Sequence, residues 1–95
     1  MQPPLQDPAL KKRAEALLSA MTLDQKLGQM VQAERTTCTP EQAKAYHIGA
    51  ILSGAGSCPG DNYPRDWVAM SDAYWHASMT ADSRHLPIPI LCSVD

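Results

Sequence analysis

The run Ile48-Gly49-Ala50-Ile51-Leu52 constrains the fold more than any other stretch of this chain. It is compact and apolar, it is bounded by turn formers, and the polar, glycine-rich residues 54–62 follow it directly. Such a run suits a strand buried on both faces, as in a parallel sheet. Parallel neighbours need crossover connections, usually helical. The flanking sequence should therefore alternate between helix and strand signals.

Helix starts are written plainly. Asp7 caps a helix that opens at Pro8, and Leu10, Ala14, Leu17, Leu18 and Met21 recur as an apolar stripe, with Lys11, Lys12, Arg13 and Glu15 on the solvated side. Thr22 and Gln25 form a capping box, and Leu27 and Met30 continue the apolar side of a second, short helix. Thr39, Pro40 and Gln42 repeat that grammar before Ala43 to Tyr46. Pro64 opens a further helix whose buried stripe is Trp67, Met70, Tyr74 and Ala77, with Trp67 taken as core in preference to a sugar platform. Strands are expected over residues 30–33, ending in the polar group Glu34 to Thr37, over 48–52, and over 88–94, where Pro89 is tolerable near the start. The order is that of an α/β fold with parallel strands.

Composition narrows the class of function. In 95 residues, 44% hydrophobic and 19% charged, there is material for a core but for no more than one domain or part of one. A formal charge of -2 offers no basic stripe to neutralise phosphates, which excludes a nucleic-acid reading. No apolar run approaches the roughly 20 residues of a membrane helix. Residues 1–9 lack the cationic start and apolar run of a secretion signal, so the protein is periplasmic or secreted if a signal was removed and cytoplasmic otherwise. Cys38, Cys58 and Cys92 are widely spaced and are read as free thiols.

In parallel α/β folds, binding and catalytic groups collect at the C-terminal ends of the strands. Asp95 and residues 54–62 stand at that address. A strand-end carboxylate can accept hydrogen bonds from two adjacent sugar hydroxyls, while a helix cap or a plain surface charge are the alternative uses of Asp95. The glycine-rich segment lacks the third glycine of a dinucleotide fingerprint and any following GK[ST], and Ser57 sits in no GxSxG elbow. His47, His76 and His85 are too scattered for a metal motif, so no metal and no cofactor are assigned and the three are read as structural.

Taken together, several segments resemble the start of the family 3 glycoside hydrolases, the β-glucosidase and exo-glucanase group. Residues 17–30, LLSAMTLDQKLGQM, are similar to the family's opening segment, and residues 48–59, IGAILSGAGSCP, to its strand and glycine-serine loop. Asn62, Pro64, Asp66, Trp67, Met70 and Asp72 match the next helix, and IPILCSVD at 88–95 resembles the strand that carries the sugar-binding aspartate. Cys92 and Ser93 stand where an aromatic residue and a glycine are common, and Tyr63 where Thr or Ser usually caps.

The resemblance implies an N-terminal fragment of a (β/α)8 TIM-type barrel, about three βα units, with residues 1–29 as leading helices and 30–95 as the first barrel strands and helices. It implies a parent that removes terminal β-linked glucose with retention of configuration, acting on a β-glucoside or β-glucan oligosaccharide that Asp95 holds by its hydroxyls. The nucleophile and the acid/base would come later in the parent, so no catalytic residue is assigned in this chain. The chain alone is expected to be inactive and to associate with the missing remainder of the barrel. A non-catalytic carbohydrate-binding or interaction module is the alternative reading, and an unrelated phosphate-binding α/β enzyme the third.

Overall fold

A computed structural model describes residues 7–54 and 56–95. Among the described residues the chain is α/β, with four α-helices and a three-stranded parallel sheet. Helix α1 (Pro8–Ala20) and helix α2 (Leu23–Gln29) lead into strand β1 (Gln32–Glu34) and a 3-10 turn at Arg35–Thr37. Helix α3 (Pro40–Ala45), strand β2 (Ala50–Ser53), helix α4 (Pro64–Met79) and strand β3 (Leu91–Val94) follow. The expectations for residues 1–6 and for Ala55 lie outside the described residues.

The helices start where their caps are written. Asp7 Oδ1 accepts from the Ala9 N–H at 2.8 Å, and Thr22 with Gln25 and Thr39 with Gln42 close full capping boxes. Each such cap contributes about 1 kcal/mol. At α4 the tyrosine that stands in the cap position makes no side-chain cap. Asp66 Oδ2 compensates by accepting from the Tyr63 N–H at 3.1 Å and the Asp61 N–H at 3.3 Å.

Sheet order is β1-β2-β3, with Glu34 opposite Leu52 and Ser53 opposite Val94, so all three strands end on one edge. Helices α3 and α4, the two crossovers, pack on each other. Between them and the sheet lies the core, Cys38, Ala43, Ile51, Tyr74 and Ile90, with Ala33, Ile48 and Met70 packed against it. Tyr74 ties the layers together, its hydroxyl donating to the carbonyl of Cys38 and reaching that of Arg35 at 3.3 Å.

All three strands begin later than the apolar runs do, and hydrogen bonding gives the reason. Met30 and Val31 send their N–H groups to Leu27 and Gly28, so they finish α2, and β1 starts at Gln32. Ile48 donates to Ala43 and Gly49 to Gly28, which leaves Ala50 as the first ladder residue of β2. The Ile90 N–H goes to Ser78 Oγ at 3.2 Å, and β3 begins at Leu91.

Expectations about burial are corrected in three elements. Helix α1 forms as expected, but no residue of it is buried, and Leu10, Leu17 and Leu18 remain exposed because no described element lies over the stripe. In α4 only Tyr74 of the expected stripe is buried, while Trp67, Met70 and Ala77 are half-buried. Burial on both faces is likewise incomplete in β2, where Ile51 and Ser53 are buried but Ala50 and Leu52 are not.

Close backbone approach explains two glycines. Helix α2 rests directly on the α3–β2 connection, where the Gly49 N–H donates to the Gly28 carbonyl at 3.0 Å. A Cβ on Gly28 would collide with the carbonyls of Tyr46 and His47, and one on Gly49 with that of Gln29.

Candidate functional site

The C-terminal edge of the sheet brings Glu34, Gly54 and Asp95 to one side of the molecule, each at or just beyond the end of its strand. Asp95 is exposed, and its N–H donates to the Ser53 carbonyl at 3.0 Å, which continues the β2–β3 ladder and fixes the backbone beneath the carboxylate. The carboxylate itself makes no hydrogen bond among the described residues, so both oxygens are free to accept.

Asp95 lines an open depression of about 240 Å³ together with Gly54, Gly56, Ser57, Asn62 and Trp67. Trp67, read from the sequence as core, borders this depression and is only half-buried. Its indole N–H donates to Asn62 Oδ1 at 2.7 Å, and Asn62 adopts a φ of 63°, a left-handed conformation that asparagine tolerates better than most residues. Sequence periodicity puts Trp67 on the right face of α4, but it sits in the first turn, where the helix leaves the core and meets the strand-end side of the sheet.

Glu34 is a strand-end carboxylate on the same side of the sheet that sequence reading left unassigned. Its Oε2 accepts from the Thr36 N–H at 2.6 Å and from the Thr36 hydroxyl, and its Oε1 accepts from the Gly54 N–H at 3.3 Å. The Thr36 hydroxyl and then the Thr36 N–H hold its carboxyl at about 2 against an opposing effect of desolvation, and Gly54 and Ser57 add smaller contributions in the same direction as Thr36. Glu34 therefore stays ionised and committed to protein donors, whereas Asp95 is open. Beside it, Arg35 Nη2 donates to Ser57 Oγ at 2.9 Å, while its buried Nε has no partner among the described residues. The only forward signal for this pair was the polar group that ends β1.

The histidines gather elsewhere. His47 and His85 meet at the opposite end of β2, and His76 is exposed and lies edge-on to Trp75. Among the described residues no group of three or more His, Cys, Asp or Glu could hold a metal ion, and no helix is long and apolar enough to cross a membrane. Cys38 is buried while Cys58 and Cys92 are exposed, all three as free thiols. Burial pushes the Cys38 thiol up, and partial desolvation of the sulfur does the same to Cys92 although the residue as a whole is exposed, both away from the reactive thiolate form.

No protein-family model matches the chain, and no curated protein matches it. Solved structures do. Two structures of the exo-1,3/1,4-β-glucanase from a Pseudoalteromonas species, one of a glutamine-to-alanine variant, share 32% sequence identity over 93% of this chain with a TM-score of 0.85. The chain spans 15% of the variant's length and 11% of the other's. In sequence and in fold, it is similar to a short segment of a β-glucanase.

Proposed function

We propose that this chain is the N-terminal portion of a retaining β-glucosidase-like glycoside hydrolase of family 3, one that hydrolyses terminal β-D-glucosyl bonds. The observation that carries the reading is the 32% identity to an exo-1,3/1,4-β-glucanase over nearly all of this chain, at a TM-score of 0.85. The placement of Asp95 supports it: a carboxylate without a partner among the described residues, at a strand end, lining one depression with a half-buried tryptophan and glycines.

In this reading β1, β2 and β3 are the first strands of a (β/α)8 barrel, and their shared C-terminal edge is part of the substrate face. Asp95 accepts hydrogen bonds from hydroxyls of the non-reducing-end glucose, and the charge on the carboxylate makes those bonds stronger than neutral ones. Retaining hydrolysis needs two carboxyl groups about 5–5.5 Å apart, one as nucleophile and one as acid/base. Later parts of the parent supply both, so this chain binds and orients sugar without cleaving it.

The test is release of p-nitrophenol from p-nitrophenyl β-D-glucoside by residues 1–95 and by the chain extended to the natural end of its gene. Activity confined to the extended protein supports the reading. Inactivity of both favours a non-catalytic carbohydrate-binding module.

A further inference from the structure

We propose that Glu34 and Arg35 are positioning residues for the sugar site, consecutive side chains at the end of β1 that hold Gly54 and Ser57 at a set distance from Asp95. The proposal rests on the reading of Asp95 as the sugar-binding carboxylate.

The turn is closed by its own hydrogen bond, Ser57 N–H to the Gly54 carbonyl at 2.8 Å, and Gly56 within it has a φ of 77° that side-chain-bearing residues rarely adopt. Nothing in that bond fixes where the turn sits relative to β3. Glu34 and Arg35 do so from β1, one at each end of the turn. Glu34 Oε1 accepts the Gly54 N–H at 3.3 Å, and Arg35 Nη2 donates to Ser57 Oγ at 2.9 Å. Because a guanidinium only donates, the Ser57 oxygen is the acceptor, and the hydroxyl proton is left to point elsewhere. Ser57 also contributes to keeping the Glu34 carboxyl ionised, which links the two grips into one network.

The pair is anchored behind as well as in front. The Arg35 carbonyl accepts from the Tyr74 hydroxyl at 3.3 Å, which ties it to a core side chain, and Thr36 fixes the second oxygen of Glu34. Gly54, Gly56 and Ser57 line the same depression as Asp95. Gly54 and Ser57 in that depression are therefore held from β1 and Asp95 from β3, with β2 between the two strands. Loss of either grip frees the turn to shift, and a sugar held by Asp95 loses its second contact surface.

The experiment uses the chain extended to the natural end of its gene and reads both KM for p-nitrophenyl β-D-glucoside and Tm. Ser57→Ala and Glu34→Ala are expected to raise KM roughly tenfold, the scale of a small misplacement in a binding site, with Tm of Ser57→Ala unchanged. Glu34→Gln keeps an acceptor for Gly54 and is expected to retain most of the affinity, a rescue that a purely charge-based role would not give. An unchanged KM in Ser57→Ala and Glu34→Ala overturns the proposal, as does a Glu34→Gln variant as impaired as Glu34→Ala. Asp95→Asn separates the two failures. If it leaves KM unchanged, or if the extended protein is inactive, the reading of Asp95 falls and takes the proposal with it; if it raises KM while the β1 variants do not, only the positioning role falls.

Discussion

His47 Nδ1 and His85 Nδ1 lie 3.3 Å apart, with the two rings within 7° of parallel. The centroid separation of 5.5 Å is close to the nitrogen–nitrogen distance plus the two ring radii, so the rings meet edge to edge. His85 Nε2 is 2.7 Å from the Ser78 carbonyl, which can only accept, so Nε2 carries a proton, and in the neutral ring Nδ1 presents a lone pair. His47 must then donate from Nδ1. This bond joins the α3–β2 connection to the segment before β3, at the opposite end of β2 from Asp95. His47 itself has a φ of 59° and ends α3, with Ile48 donating back to the Ala43 carbonyl at 2.9 Å.

The tautomers are directly observable. Nitrogen-15 spectra of the neutral side chains are expected to show His85 protonated at Nε2 and His47 at Nδ1. Replacing His85 with Ala removes both bonds and strands the Ser78 carbonyl, at a cost of about 1–3 kcal/mol in a denaturant titration. The opposite tautomer at His85 would contradict the assignment.

Gly28 and Gly49 are irreplaceable for a steric reason, since the neighbours they would strike are backbone carbonyls that cannot rotate away. Alanine at either position is expected to destabilise the fold by about 1–3 kcal/mol, the usual cost of overpacking. Gly56 gives the contrast: a Cβ there meets nothing within 4 Å, and any cost of Gly56→Ala comes from its φ of 77° alone. Urea midpoints of the three variants check the distinction.

Glu34 makes stability depend on pH in acid. Its carboxyl lies at about 2 in the folded chain against an ordinary 4.5, so the unfolded chain binds the extra proton between those values. The stabilisation is fully present above about 4.5 and is lost as pH falls towards 2. Glu34→Gln is expected to flatten the urea midpoint across that window. Some slope should persist, because the Arg84 N–H and then the Lys44 ammonium also lower the Asp82 carboxyl. A variant with the wild-type slope would show that Glu34 is not held as described.

Tyr74→Phe keeps the buried ring and deletes the hydroxyl that serves the Cys38 and Arg35 carbonyls. The expected loss is about 1–3 kcal/mol, the penalty for leaving a buried acceptor unpaired. A neutral substitution would mean that water replaces the hydroxyl.

What the sequence made legible was mostly local. Asp7, Thr22 with Gln25, and Thr39 with Gln42 mark helix starts because a cap and its partner lie within three residues of each other. Strand starts were misplaced because the N–H groups of Met30, Val31, Gly49 and Ile90 are claimed by helix ends and by Ser78, partners that only the fold brings close. The stripe of Leu10, Leu17 and Leu18 shows that α1 is amphipathic, but periodicity carries no information on what covers it. The place of Asp95 at a strand end was legible in the sequence, whereas Glu34 and Arg35 reach Gly54 and Ser57, some twenty residues away, and no spacing rule connects them.

In the proposed function Asp95 binds the sugar of a β-glucoside hydrolase whose catalytic carboxylates lie in later parts of the parent. The most direct measurement is kcat/KM for p-nitrophenyl β-D-glucoside in the chain extended to the natural end of its gene, with and without Asp95→Ala. The extended protein is expected to be active and its kcat/KM to fall by about a hundredfold or more in the variant, since a lost charged contact to the substrate costs on the order of 3 kcal/mol. An extended protein that hydrolyses the glucoside equally well without Asp95 would contradict the proposed function.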